Sequence, residues 1–209
     1  MIKPTIEIKS VGKDVKCKDQ LIKEVVEVHL NAFPNFFLST LGTGFLKTYY
    51  RCFAEHANGN LIVAMYGDKV VAFAAATSIC HGFNFSLLKK NLFAFGWCFM
   101  RLLFTKPMAL VRLKKNLTKT LEEVGDDEDY AELYSIGTTA IVQGKGVGTK
   151  LIQQLEKQLK IRGVSKLSLT TDYVDNEAAL CFYKKNGFSV LYEFVTYPNR
   201  KMYRLIKSI

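Results

Sequence analysis

A glycine-rich stretch is the part of this chain whose residue types and spacing best suit chemistry. Residues 143–150 are Gln-Gly-Lys-Gly-Val-Gly-Thr-Lys, between an apolar, strand-like run and an amphipathic, helix-like run. Glycines let the backbone approach a ligand closely, and the free N–H groups at the start of a helix attract an anion. The spacing matches neither the P-loop nor the G-x-G-x-x-G dinucleotide pattern. It predicts a phosphate-binding turn of another kind, with an ordinary strand-to-helix turn as the alternative.

A second group of candidate residues lies further along the chain. Residues 176–188 are Asn-Glu-Ala-Ala-Leu-Cys-Phe-Tyr-Lys-Lys-Asn-Gly-Phe. This pattern predicts a short helix that Asp175 or Asn176 caps and that Gly187 ends.

The two segments together closely resemble the GNAT superfamily of N-acetyltransferases. Residues 143–148 have the Q-x-x-G-x-G form of that family's acyl-CoA motif, and residues 176–188 match its later helix and strand. The resemblance implies an α+β fold, in which a central mixed, mostly antiparallel, twisted sheet is flanked by helices. It also implies a single domain over 1–209, with the acyl-CoA-binding core at 131–206 and a basic helical insertion at 80–129 before the motif strand.

The same resemblance implies that acetyl-CoA is the cosubstrate and that no metal is needed. The loop amides would hold the pyrophosphate, and the strand before the loop would pair with the pantetheine arm. The matching residues are Ile136, Thr138, Gln143, Gly144, Lys145, Gly146, Val147, Gly148, Thr149 and Asn176. The three histidines, His29, His56 and His81, lack the spacing of metal ligands and are interpreted as incidental, and Cys181 as a small core residue.

Catalysis in this family needs no protein nucleophile, because the substrate amine attacks the thioester directly. By resemblance Tyr183 is the general acid, and the alternative is a tyrosine packed with Phe182 in the core. Glu132 and Tyr134 are the candidates for the general base, and both are expected to share the strand face of Ile136, since alternate residues point the same way. Glu132 equally suits the end of an acidic loop.

Hydrophobic spacing and turn residues predict the remaining elements. The predicted helices are 19–32, a second that follows 42–44 and closes at 58–59, one from the glycine-rich turn to Arg162, and one from 175 or 176 to 186; the predicted strands are 5–8, 61–66, 69–78, 131–137, 166–171, 188–197 and 201–206.

The charge of the chain is concentrated in one segment. The net charge is +10, and residues 80–120 contain eight lysines and arginines and no acidic residue. Such a basic, aromatic-rich segment packs on the core, contacts an anionic membrane or binds the substrate. Membrane contact through residues 85–115 and homodimer formation stay open, whereas nucleic-acid binding is not expected, because nothing resembles a known nucleic-acid-binding motif.

These observations predict a cytoplasmic N-acyltransferase. The odd number of scattered cysteines and the absence of a secretory signal favour a reducing compartment. The expected reaction moves acetyl from acetyl-CoA to a primary amine of a small molecule or sugar, by direct attack in a ternary complex. Two alternatives remain: an acyltransferase at the inner face of the membrane that uses longer acyl donors or a lipid-linked acceptor, and a non-catalytic, regulatory module that binds acyl-CoA.

Overall fold

The computed structural model describes residues 5–80, 83, 95–96, 100, 129–196 and 199–209. Most of the predicted insertion at 80–129, including the 85–115 segment considered for membrane contact, lies outside these residues. No helix among the described residues is long and apolar enough to cross a membrane.

The described chain folds into helices and strands close to those expected. The strands are β1 (Ile6–Ser10), β2 (Gly59–Tyr66), β3 (Lys69–Thr77), β4 (Ala131–Thr138), β5 (Lys166–Asp172), β6 (Ser189–Thr196) and β7 (Arg200–Ser208). The helices are α1 (Lys18–Ala32), α2 (Phe37–Thr40), α3 (Thr43–Glu55), α4 (Val147–Ile161) and α5 (Glu177–Lys185). The single turn of α2 was not anticipated, since four residues are too few to show a helical period.

All seven strands form one sheet in the order β1-β2-β3-β4-β5-β7-β6. Every neighbouring pair is antiparallel except β4 and β5, which run parallel. This arrangement confirms the predicted α+β fold with a mixed, mostly antiparallel sheet. The parallel pairing covers only three residue pairs and ends where Leu133 faces Leu169. Beyond that point the ends of β4 and β5 no longer pair with each other, and a cleft opens between them.

Helices cover the sheet on both faces. We call the apolar cluster beneath α1 and α3 the α1–α3 core, and it includes Val25, Leu46, Phe53 and Phe73. The cluster beneath α4 is the α4 core, and it includes Leu151, Leu155, Leu133 and Leu169. Strands β2 and β3 are buried along nearly their whole length because side chains on both of their faces are covered.

A β-bulge in β4 overturns one expectation about the site. Leu133 faces Ala76 and Ser135 faces Ala75, so that Tyr134 is the extra residue. One extra residue resets the alternation of side chains along a strand. Tyr134 therefore packs with the α1–α3 core and Ile136 with the α4 core. The prediction that they share one face is wrong.

Candidate active site

The gap between the diverging ends of β4 and β5 is a cleft of ≈ 720 Å³. Its walls come from β4, the turn before α4, β5, α5, the start of β7 and the connection between α1 and α2. Eight of the residues expected at the site line it, namely Tyr134, Ile136, Thr138, Gln143, Gly144, Gly148, Asn176 and Tyr183. The splayed strands thus bring together segments that lie far apart in the sequence.

The glycine-rich turn stands at one end of the cleft and leads into α4. Gly144 and Gly146 have φ of 73° and 76°, a backbone region that favours glycine. At the start of the turn, the amide of Gln143 donates to Thr139 O and the amide of Lys145 donates to Val142 O, both acceptors lying just before the turn. In the first turn of any α-helix the N–H groups lack a carbonyl within the helix, so the amides of residues 147–149 are available to an anion.

Not every residue of the predicted loop points into the cleft. The side chain of Val147 is buried in the α4 core. Lys145, Gly146 and Thr149 are outside the set of described residues that line the cleft. Their predicted role is to bind the ligand through their backbone amides, and that role remains a proposal.

Gly148 brings α4 close to α5. A Cβ atom built on Gly148 would stand 3.0 Å from Cζ of Phe182, closer than ordinary packing. The missing side chain therefore lets the start of α4 pack directly on the Phe182 ring. This contact fixes α5 against the glycine-rich turn and places the neighbouring Tyr183 on the cleft.

Tyr183 keeps its proton across the physiological pH range. Its ring packs between Phe182 and Phe188, with centroids 5.2 and 5.8 Å away. Burial among these rings raises the pKa of Tyr183 to about 12, because desolvation disfavours the phenolate. Tyr183 thus packs with Phe182, which was the alternative to the acid role, and it also lies on the cleft. A hydroxyl in this state can donate a proton.

Asn176 faces β5 and not the helix that follows it. It occupies the N-cap position of α5, yet its side chain makes no capping hydrogen bond. Its Nδ2 instead donates to Thr171 Oγ1 at 2.6 Å and to the backbone oxygen of Asp172 at 2.9 Å. Asn176 is thus the N-cap residue, one of the two predicted, but its side chain does not bond to the helix. Its amide ties the start of α5 to the end of β5 beside the cleft.

Glu132 lies behind the cleft, in a buried ion pair. Its Oε1 accepts a hydrogen bond from Nη1 of Arg204 at 2.5 Å, and its Oε2 accepts one from Sγ of Cys80 at 3.2 Å. Burial alone would lower the pKa of Arg204, but Glu132 and then Tyr130 raise it above its ordinary value. Glu132 is outside the described lining of the cleft. It is neither a solvated loop residue nor in direct reach of the cleft.

Tyr134 lines the cleft and lies close to Glu132. It contacts the rings of Phe53 and Phe83 at centroid distances of 5.4 and 5.8 Å. Burial, and next the negative charge of Glu132, raise the pKa of Tyr134 well above its ordinary value. The residue is therefore protonated at neutral pH, and it is a hydrogen-bonding group and not a base by itself.

The α1 side of the cleft is formed by the apolar run 33–38, within the segment 31–44 that the family resemblance implies for the acceptor. Phe33, Phe36, Phe37 and Leu38 line it there, together with Met202. Asp172, at the end of β5, and Arg200, at the start of β7, also line the cleft. Arg200 donates two hydrogen bonds to the carboxylate of Asp172. The apolar run 33–38 was visible in the sequence, but no local signal pairs Asp172 with Arg200.

His29, interpreted from the sequence as an incidental helix residue, lies on the cleft. It is 2% exposed and lies on the wall of the cleft. Its Nδ1 shares a hydrogen bond with Oη of Tyr50 at 2.6 Å, and Ser135 bonds to the same hydroxyl. Burial lowers the pKa of His29 to about 4, so the ring is neutral at pH 7.

Two further expectations concern cysteine and metal chemistry. Cys181 is exposed and is not a core residue, because α5 turns that side toward solvent. Within the described ranges, no group of three histidine, cysteine, aspartate or glutamate side chains is arranged to hold a metal ion.

Sequence comparisons give a family match and one short relative. A family model described as "Acetyltransferase (GNAT) family" matches residues 23–188. The uncharacterized protein YxbD of Bacillus subtilis (strain 168) is 34% identical over 62 residues, which are 30% of this chain and 37% of that protein. The match thus spans well under half of the curated relative's length.

Solved structures share the fold over almost the whole chain. The ribosomal-protein-S18-alanine N-acetyltransferase from Escherichia coli has a TM-score of 0.59 and 16% identity, covering 98% of this chain and 94% of that one. Aminoglycoside 6'-acetyltransferase type Ii has a TM-score of 0.60 and 15% identity, with 97% and 96% covered. The PaiA N-acetyltransferase from Thermoplasma acidophilum, solved with coenzyme A, has a TM-score of 0.54 and 14% identity, with 98% and 99% covered. At these identities the likeness concerns the fold alone.

Proposed function

Since this chain belongs to the GNAT acetyltransferase family, we propose that it transfers an acetyl group from acetyl-CoA to a primary amine of a small molecule. The observation that carries the proposal is the cleft between β4 and β5, which joins the glycine-rich turn to Tyr183. One end offers backbone amides to an anion, and the other places a protonated phenol beside the space between the strands.

The residues present fit a CoA-type ligand. Gly144 and Gly146 adopt left-handed backbone angles that open the turn, and a side chain at Gly148 would meet Phe182. The amides of residues 144 and 146–149 would hold the pyrophosphate, with Gln143 at the start of the loop. The unpaired edge of β4 at Ile136 and Thr138 would accept the pantetheine arm as an added strand. Asn176, which also lines the cleft, would lie beside that arm.

The chain's own residues supply the proton transfers. Acetyl-CoA, when bound, provides an acyl thioester that an amine attacks directly. As the new C–N bond forms and the C–S bond breaks, Tyr183 Oη donates its proton to the departing sulfur. The proton lost by the amine passes toward Glu132, with Tyr134 or a water between them, because Glu132 does not line the cleft and Tyr134 does.

Ligand-induced stabilisation tests the proposal. A ligand that binds only the folded state raises Tm in proportion to the logarithm of its concentration over Kd. We expect CoA and acetyl-CoA to raise Tm at saturation. Larger shifts with long-chain acyl-CoAs would favour the membrane-surface acyltransferase with longer donors. A shift with acetyl-CoA but no CoA release with any amine would favour the non-catalytic module. No shift with any of these ligands would contradict the acyl-CoA site itself.

A further inference from the structure

The α1 side of the cleft has the composition of a site for an apolar ligand. Its wall is made by Phe33, Phe36, Phe37 and Leu38, which lie between the end of α1 and the end of α2. The Phe33 and Phe36 rings contact edge to face, with centroids 5.2 Å apart. Phe36 is nevertheless 46% exposed, which leaves much of its ring free to contact a ligand. We call this wall the phenyl wall.

The described lining of the cleft is electrically neutral. Its charged side chains are Asp172 and Arg200, and they neutralise each other through two parallel hydrogen bonds. The guanidinium of Arg200 also lies over the Phe36 ring, 5.7 Å from its centroid. A polycationic acceptor needs several carboxylates to replace its lost hydration, because buried charges must be paired. This lining offers such an acceptor no unpaired carboxylate.

His29 adds one hydrogen-bonding group to this apolar surface. Its Nδ1 is bonded to Tyr50, so Nε2 is the nitrogen left for a ligand. Nε2 is buried and has no hydrogen-bond partner among the described residues. A buried polar atom without a partner is uncommon, because it forfeits the hydrogen bond that it made with water. A ligand bound against the phenyl wall would supply the missing partner.

We propose that the cleft binds, as acetyl acceptor, a monoamine carried on an aromatic or similarly apolar body, which packs on the phenyl wall and hydrogen-bonds to His29 Nε2. The inference rests on the proposed function and adds the class of acceptor to it. A neutral imidazole does not repel an ammonium group, and phenyl faces attract one. The rest of the ligand replaces water on apolar surface.

The first experiment compares acceptors with the wild-type protein. With acetyl-CoA saturating, phenethylamine should show a kcat/KM about tenfold or more above those of spermidine and kanamycin, because only phenethylamine has an apolar body and a single charge. Equal or higher values for either polycation would overturn the inference.

Binding is measured separately from chemistry. In the presence of CoA, phenethylamine should raise Tm further, and spermidine and kanamycin should not. Stabilisation by CoA without any further shift by phenethylamine would overturn the acceptor class and leave the proposed function standing. Absence of stabilisation by CoA or acetyl-CoA would instead contradict the proposed function.

Two pairs of variants locate the site. Phe36→Ala should raise KM for phenethylamine about tenfold with little change in kcat, since it removes exposed ring surface from the wall. The matched control is Tyr66→Ala, because Tyr66 is 42% exposed at the end of β2, outside the cleft. Equal effects of the two substitutions would contradict the placement of the acceptor.

His29→Phe and Tyr50→Phe form the second pair. Both remove the hydrogen bond between these two side chains, but only His29→Phe removes Nε2. KM for phenethylamine should rise about fivefold more in His29→Phe than in Tyr50→Phe, the size expected for one hydrogen bond. The same KM in both variants would show that His29 serves the fold alone and would overturn its assigned contact.

Discussion

At the scale of single residues, burial acts on Tyr183 and His29 in the same physical way and with opposite effects on pKa. Desolvation disfavours the charged form of each group. It raises the pKa of the Tyr183 phenol to about 12 and lowers the pKa of the His29 imidazole to about 4. Both side chains are therefore neutral at pH 7. The first keeps a proton that it can donate, and the second presents an uncharged ring to the cleft.

Tyr183→Phe removes the proposed proton donor and keeps the ring. We expect kcat to fall about 100-fold, within the usual range for loss of a general acid, while acetyl-CoA still stabilises the protein. Tyr203→Phe is the control, because Tyr203 stacks on Tyr173 and is not among the described residues that line the cleft. Steady-state kinetics check the pair, and wild-type turnover in Tyr183→Phe would exclude the acid role.

The burial of His29 predicts an acid-dependent loss of stability. Because the folded-state pKa of about 4 is below the ordinary value of 6.5, the unfolded state binds more protons between these pH values. The contribution of the neutral His29 ring to the free energy of unfolding is complete above pH 6.5. It falls by up to about 3 kcal/mol as the pH decreases toward 4.

Urea unfolding at several pH values between 4.5 and 7.5 measures this loss. His29→Phe should show a flatter decline in the free energy of unfolding than the wild type. Tyr50→Phe should keep the wild-type slope, because it loses the same hydrogen bond but retains the titrating ring. Parallel slopes in all three proteins would contradict the assignment of this titration to His29.

At the scale of elements, the two ends of α4 provide a matched comparison. Gly146 precedes the helix and Gly163 follows it, both have φ of 76°, and a Cβ at either position meets nothing within 4 Å. The backbone strain of a substitution is therefore the same at both ends. Only the N-terminal end lies in the predicted phosphate-binding turn.

Gly146→Ala and Gly163→Ala should each lower the free energy of unfolding by about 1 kcal/mol, the usual cost of a left-handed backbone for alanine. Gly146→Ala should also raise the Kd for acetyl-CoA about tenfold, because a relaxed turn misdirects the amides of the helix start. Calorimetric titration measures the Kd. A similar loss of affinity in both variants, or in neither, would contradict the role of this turn.

At the scale of the whole molecule, one buried ion pair joins the two halves of the sheet. Arg204 on β7 reaches across β5 to Glu132 on β4, and the side chains are 3% and 12% exposed. Nη1 of Arg204 also lies 3.5 Å from Oγ of Ser168 on β5. The three strands that meet below the cleft are therefore linked by side chains as well as by the backbone ladder.

Arg204→Met should destabilise the fold by about 3 kcal/mol or more, since it leaves the Glu132 charge buried without a partner. The double variant Arg204→Met with Glu132→Gln should recover much of that loss, because neither charge then remains. Urea unfolding of the two single variants and the double variant gives the coupling energy. Additive losses would show that the two side chains are not energetically coupled. Because Glu132 variants also change stability, their kinetics must be compared together with these unfolding free energies.

Much of the fold follows from local sequence patterns. In α4 the buried residues Val147, Leu151, Leu155 and Leu159 recur at helical spacing. The hairpin of β2 and β3 follows from two apolar runs around Gly67-Asp68, and the family resemblance follows from residues 143–148 and 176–188. These features depend on neighbours a few residues apart, and such interactions repeat along the chain with a readable period.

The tertiary structure alone decided which of the candidate residues meet. The bulge at Tyr134 arises because the pairing of β4 with β3 shifts register between Ala75 and Ala76, and it puts Tyr134 and Ile136 on opposite faces. His29 reaches the cleft because α1 packs over β3 and β4, and Glu132 is withdrawn from it by an arginine 72 residues away. Burial, pairing and pKa depend on contacts between distant segments. The sequence by itself determined most of the elements and the family, whereas their packing determined the chemistry that each side chain can perform.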